Sequence, residues 1–234
     1  MTARQLPLGL RWPSHQRLDA FLPDDNPAAL QLVRASVESG VGLFLQGAHG
    51  AGKTHLLIGA CRAAVEAGRN ARYLPLASLP APRAAAVAGV DSGGLIAIDD
   101  VQAIAGDNDA ERALFDLYHR ASDHHATLLF AGSGAPAHLG LILPDVVSRL
   151  SACTQCVLRA MDESGRRAVL QARACQRGLQ LDDNVLDWLF ARQPRDLGAL
   201  IALFERLDHA ALVAQRRVTI PFLRGLLTGK NDQI

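Results

Sequence analysis

The chain has 234 residues, with 24 Lys plus Arg against 23 Asp plus Glu, so its formal charge of +1 lacks the basic excess that drives binding to nucleic-acid backbones. Hydrophobic residues make up 49% and aromatics only 5%, an Ala- and Leu-based mixture that suits helices covering a sheet better than an aromatic-rich sandwich. The length admits one large domain or a large and a small one, and no apolar run approaches the ~18 residues needed to span a bilayer.

In chain order, the stretch 1–11 carries a brief apolar patch broken by Pro7 and Gly9 with no cleavage pattern after it. It is not a secretory signal, and the expected compartment is the cytoplasm. Short apolar runs predict strands at 42–46, 71–76, 94–98, 126–131 and 155–158. Helix-period segments lie between them at 53–67, stopped by Gly68, at 109–122 and at 144–150. The Ala-, Pro- and Gly-rich stretch 77–94 predicts a helix-poor connection. Strands alternating with helices imply parallel pairing through right-handed crossovers. After Ala160 the pattern turns to helices alone: 162–176 closed by Gly178, 183–192, 196–214 and 219–227, with Asp183 and Thr219 as N-caps. The expectation is α/β, a five-stranded parallel sheet flanked by helices, followed by a small all-helical domain.

Four cysteines do not make a disulfide framework at this size. Cys153-Thr-Gln-Cys156 has redox or zinc-knuckle spacing, but no second pair or His cluster completes four ligands, so it reads as two small residues entering a strand. The eight histidines, His49, His55, His124 and His125 among them, follow no metalloprotease or triad pattern and are expected at the surface or in structural roles.

The strongest signal is Gly47-Ala-His-Gly50-Ala-Gly52-Lys53-Thr54, a full match to G-x-x-x-x-G-K-[ST] between a predicted strand and a predicted helix. Glycines there let successive backbone N–H groups turn toward phosphate oxygens at the positive end of a helix. Lys53 adds a charge between β- and γ-phosphates, and Thr54 offers a hydroxyl to Mg²⁺. Downstream, Leu95-Ile-Ala-Ile-Asp99-Asp100 is an apolar strand ending in two carboxylates, at the edge where parallel sheets bind ligands. An apolar run ending in Asp is a weak signal alone, since Asp often terminates strands. With the P-loop upstream, Asp99 is the expected Mg²⁺ residue, and Asp100 the one that orients or deprotonates an attacking water.

On these motifs the chain resembles the AAA+ family around the bacterial replication initiator DnaA, and within it the short regulatory branch that inactivates DnaA. The resemblance covers nearly the whole sequence. The run 96–102 resembles the family's Walker B, and 145–150 its arginine-finger segment with Arg149 as the finger. Pro194-Arg195-Asp-Leu resembles the sensor 2 helix, and 216–222 the ending of the regulatory branch. Ser133, after the fourth strand, falls at sensor 1, where the family more often carries a longer polar group. The segment 21–26 resembles the adenine-side segment before the P-loop. Near the start, Gln5, Leu6, Leu8 and Leu10 resemble the motif with which this branch docks on the DNA polymerase sliding clamp (beta subunit), with Gly9 replacing the usual proline.

The resemblance thus implies a clamp-binding tail at 1–13, an AAA+ nucleotide-binding domain at 14–160 and a helical lid at 161–234. It further implies ADP or ATP with Mg²⁺ as cofactors, DnaA and the clamp as partners, self-association as an option, and little or no ATP hydrolysis by the chain itself. DnaA continues past its lid into a DNA-binding domain while this sequence stops at Ile234, so sequence-specific DNA binding is not expected. Two other readings share the P-loop: a helicase-loader or transposition-type AAA+ ATPase, and a small-molecule kinase, which needs an acceptor-binding lid.

Overall fold

A computed structural model describes residues 16–21, 26–179, 181–192, 200, 203–204 and 219–227. The chain divides into two compact units, Met1–Ala160 and Met161–Ile234.

The first unit is built on five strands: β1 Leu43–Gly47, β2 Ala71–Pro75, β3 Leu95–Asp99, β4 Thr127–Gly132 and β5 Thr154–Leu158. All pair in parallel in the order β2-β3-β4-β1-β5. Each of the five predicted strands is present, and the register follows from burial. β3 and β4 are buried along their whole length, which is why they read as continuous apolar runs. β5, at one edge, alternates exposed Thr154, Gln155 and Val157 with buried Cys156 and Leu158.

Two helical layers cover the sheet, and the strand period of two sorts side chains between them. On one face, Leu43, Leu45, Leu95, Ala97 and Leu129 meet α1 (Pro27–Ser39) and α2 (Lys53–Glu66). On the other, Phe44, Ile96, Ile98, Leu128 and Phe130 meet α3 (Arg83–Ala88), α4 (Asn108–Asp123) and α5 (Pro144–Ala152). Replacing a fully buried leucine such as Leu57 by alanine is expected to cost ~2–5 kcal/mol.

Two helices differ from the sequence expectation. α1 was not foreseen, although Pro27 stands at its first position and Ala29, Val33, Ser36 and Val37 form its buried stripe. α3 lies inside the stretch expected to be helix-poor; its alanines have high helix propensity, and Val87 is fully buried against the neighbouring layer. α4 starts where Asp107 accepts a hydrogen bond from the Ala110 N–H, an N-cap.

The second unit contains α6 (Glu163–Gln176), capped by Asp162 through the Gly165 N–H, then α7 (Asp183–Arg192) and α8 (Ile220–Leu227). Leu170, Leu186, Leu200 and Phe204 form one small core, and Val185, Leu189, Leu203 and Leu223 another. α7 spans the expected 183–192, but the Asp182 carbonyl accepts from Val185 and Leu186, so Asp182 rather than Asp183 is the N-cap residue. The helix expected over 196–214 lies outside the described residues except for Leu200, Leu203 and Phe204, all buried. Among the described residues no helix is long and apolar enough to cross a membrane.

Candidate functional site

The carboxyl ends of β1, β3 and β4 carry the chemistry-bearing residues that the sequence singles out. β1 runs into the loop 48–52, and α2 begins at Lys53. Gly50 and Gly52 have left-handed φ of 77° and 92°, values that L side chains rarely adopt. Gly47 has a different reason: a Cβ there would stand 2.6 Å from the Leu158 carbonyl oxygen of the adjacent strand.

Lys53 is 7% exposed and donates from Nζ to the carbonyls of Gly47, at 2.7 Å, and Ala48, at 2.9 Å. Burial lowers its pKa, and the carboxylates of Asp99 and Asp100 oppose that shift. Thr54 donates its hydroxyl to Asp99 Oδ2 at 2.6 Å. Asp99, 1% exposed, also accepts from Tyr73 Oη at 2.9 Å and, on Oδ1, from the Asp100 N–H at 2.9 Å. Burial raises the Asp99 carboxyl above its ordinary range, while the Thr54 and Tyr73 hydrogen bonds pull it back. Tyr73 reaches Asp99 because β2 pairs in register with β3, Tyr73 beside Ala97 and Pro75 beside Asp99.

Asp100 has φ 56° and ψ 50°, a left-handed backbone on a residue other than glycine. Such conformations cost of order 1 kcal/mol or more and cluster at functional sites. Its Oδ1 accepts from Gln102 Nε2 at 3.1 Å, and Gln102 Oε1 accepts from the Ser133 N–H at 3.1 Å. One glutamine thereby ties the end of β3 to the residue after β4.

The structure brings together Gly47, Gly50, Gly52, Lys53, Thr54, Asp99 and Asp100, and joins Ser133 to them through Gln102. The resemblance had marked the segment 21–26. Of its ends, Phe21 is buried with its ring where a Cβ on Gly52 would stand, 2.8 Å away, and 5.8 Å from the His55 ring. Asn26, also buried, exchanges two hydrogen bonds with the backbone of Arg159 after β5. Arg149 is separate: it stands exposed in the last turn of α5, with Cζ 5.8 Å from the centre of the Tyr118 ring on α4. Arg195, Gln5, Leu6, Leu8 and Leu10 lie outside the described residues.

Sequence reasoning missed Tyr73, and it reached Gln102 and Asn26 only as members of the runs 96–102 and 21–26, with no role of their own. Gln102 had a visible signal, two residues after Asp100, but Tyr73 is brought in only by strand pairing. Burial pushes Cys153 up to about 11 and raises Cys156, the direction opposite to that of a redox thiol. Among the described residues no cluster of three or more His, Cys, Asp or Glu could hold a metal. A hydroxyl and one or two carboxylates beside a loop of P-loop sequence are instead a hard-oxygen set of the kind Mg²⁺ takes.

Comparison with known proteins agrees with this architecture. Residues 162–227 match the family described as "Hda, lid domain". Domain III of the replication initiation protein DnaA from Thermotoga maritima is 20% identical with a TM-score of 0.71, covering 94% of this chain and 98% of that one. AMPPCP-bound DnaA from Aquifex aeolicus is 22% identical with a TM-score of 0.63, covering 82% of this chain and 66% of the other. A RuvB variant from Thermotoga maritima is 18% identical with a TM-score of 0.62, covering 92% and 72%. At these identities the structures show the fold, an α/β unit followed by a helical lid that DnaA and RuvB share, and the family match covers the lid, residues 162–227.

Proposed function

We propose that this chain is a regulatory inactivator of DnaA: it binds ADP or ATP, docks on the sliding clamp, and supplies Arg149 in trans to ATP held by DnaA. The observation that carries the reading is the pairing of a complete P-loop and Walker B constellation with a lid of the Hda family. That one neighbour is an AMPPCP-bound DnaA supports an adenine nucleotide in the same loop.

Lys53 and the loop 47–52 would bind the phosphates. Thr54 and Asp99 would hold Mg²⁺, whose part is to neutralise phosphate charge. Asp100, held by Gln102, would orient a water at that edge, with any hydrolysis by the chain itself being weak. Ser133 and Arg195 take the sensor positions, and Gln5, Leu6, Leu8 and Leu10 the clamp contact, in a cytoplasmic protein. Arg149 fits the finger role because it is exposed and a guanidinium offers phosphate oxygens a planar fork of donors.

The test is a reconstituted assay of DnaA–ATP with clamp loaded on DNA. Adding the chain is expected to accelerate conversion of DnaA-bound ATP to ADP, and deleting residues 1–10 to remove the effect while nucleotide binding persists. If the full chain leaves the rate unchanged, the inactivator reading is wrong, and a helicase-loader type becomes the better account of the same P-loop.

A further inference from the structure

Glu111 has no solvent exposure, yet it is a carboxylate answered by backbone amides from two distant places in the chain. Oε1 accepts from the Gly106 N–H at 3.0 Å and the Ile142 N–H at 3.1 Å; Oε2 accepts from the Ile142 N–H at 2.9 Å and the Leu143 N–H at 2.8 Å. Gly106 precedes α4, and Ile142 and Leu143 lead into α5. We propose that Glu111 is the positioning residue for Arg149, fixing the start of the helix that carries it. This rests on the trans-acting role given to Arg149 above.

Leu143 is the N-cap residue of α5, and its own carbonyl accepts from Val146 and Val147. The residue that Glu111 holds is therefore the one that starts the helix. Arg149 lies six residues on, about 9 Å along the axis at 1.5 Å per residue, so a displaced start is transmitted to the guanidinium. Ile142 is 54% exposed, so at that residue the amide bonds and not apolar packing hold the entry, while Leu141 and Leu143 on either side pack against the core and share the task. At the other end of α5 the guanidinium lies over Tyr118. Glu111 and Tyr118 are seven residues apart on α4, two turns on one face, so one helix grips the other at both ends.

A carboxylate suits the task because it is acceptor-only, so both oxygens can face N–H groups. Its place in the first turn of α4 adds the favourable end of that helix's dipole. Glutamine has the same shape, but its NH₂ group would oppose one of the amides.

The experiment titrates Glu111→Gln, Glu111→Asp and Arg149→Ala, each as the full chain, into DnaA–ATP with clamp on DNA. Nucleotide affinity and stoichiometry are measured on the same samples. A shift of about 1 Å costs on the order of 10²-fold in rate, so Glu111→Gln is expected to lose about 10- to 100-fold of the maximal stimulation. The half-saturating concentration and the nucleotide stoichiometry should not change, and the Ile142 and Leu143 amides should exchange faster with solvent. Glu111→Asp, which keeps the charge but falls short by one methylene, is the second variant if the glutamine does not fold, with the same expectation. If Arg149→Ala abolishes stimulation while the Glu111 variants retain it, the positioning role is overturned and the finger stands. Stimulation lost only in proportion to nucleotide stoichiometry would mean a folding defect and overturn it too. Full stimulation by Arg149→Ala would overturn the finger reading, and this inference with it.

Discussion

Thr54 Oγ1 lies 2.6 Å from Asp99 Oδ2, so the first turn of α2 and the end of β3 are closed on each other by the hydroxyl and carboxylate that the two motifs supply. The same oxygen takes the Tyr73 hydroxyl at 2.9 Å from the neighbouring strand. Were Thr54 to turn toward a metal ion, Tyr73 would be the donor left on that oxygen, with the Asp100 N–H still on the other.

Tyr73→Phe should therefore weaken the Mg²⁺-dependent part of nucleotide affinity and leave the metal-free part alone. A hydrogen bond to a charged group is worth ~1.5–3 kcal/mol, so the ratio of affinities measured with Mg²⁺ and with EDTA should fall about tenfold or more. Calorimetry on both samples measures it. A ratio equal to wild type would show that Asp99 does not depend on Tyr73.

Lys53 presents a second separable effect. It is buried, and burial works against its charge. Lys53→Met keeps the bulk and removes that penalty, so the nucleotide-free variant should melt at or above the wild-type temperature. With nucleotide at a hundredfold excess over Kd the wild type should gain ~2.7 kcal/mol, roughly 5 to 10 °C in Tm, and the variant nothing. Thermal shift with and without ADP decides it; protection of the variant would remove Lys53 from the binding site.

Most of this framework is legible before folding because its signals are local. An apolar run followed by glycines and Lys53-Thr54 carries strand, loop and helix start within about a dozen residues, and the strands at 94–98 and 126–131 announce themselves because both faces are covered. What was illegible depends on pairing. Tyr73 is an ordinary strand aromatic until β2 lies beside β3, and Glu111 is an ordinary helix acid until the loop before α5 comes to it, 31 residues downstream in the chain. The α3 helix was illegible for a different reason: the Pro and Gly of the stretch 77–94 read as breaks, where Pro82 and Gly89 mark the helix ends, while α1 drew no reading at all although Pro27 and Gly40 bound it in the same way.

The cysteines give a pH-dependent prediction. Burial pushes the Cys61 thiol up to about 12 and Cys153 up to about 11, so near pH 8 almost none of either is thiolate, and burial raises Cys156 in the same direction. Cys175 is exposed. Iodoacetamide at pH 8 should modify Cys175 first, and the other three only after unfolding. For a thiol below its pKa the thiolate fraction rises about tenfold per pH unit, so any slow labelling of Cys153 should accelerate from pH 8 to 9. Peptide mass spectrometry reads each site; labelling of Cys153 or Cys156 as fast as Cys175 in the folded protein would return the pair to redox chemistry.

The last prediction concerns what Arg149 needs besides its charge. Its guanidinium lies 5.8 Å from the centre of the Tyr118 ring, a cation–π arrangement worth ~0.5–1 kcal/mol at an exposed site. That is too small to matter for stability, but it biases a long side chain toward one orientation before a partner arrives. Arginine fingers contribute on the order of 10³ to 10⁵ in rate, against ~0–1 kcal/mol for a solvated surface pair, so the two readings of this residue predict effects of different size. Arg149→Ala should lose nearly all stimulation of DnaA-bound ATP hydrolysis while keeping fold and bound nucleotide. Arg149→Lys should fail almost as badly, because an ammonium keeps the charge but lacks the fork that meets two phosphate oxygens at once. Tyr118→Leu keeps the arginine and loses only the ring, so its stimulation should fall severalfold at most, in line with the small interaction removed. The order wild type, then Tyr118→Leu, then Arg149→Lys close to Arg149→Ala is the signature of a finger. If Arg149→Lys stimulates as well as wild type, Arg149 contributes only charge to the encounter, and the phosphate contact proposed for it is wrong.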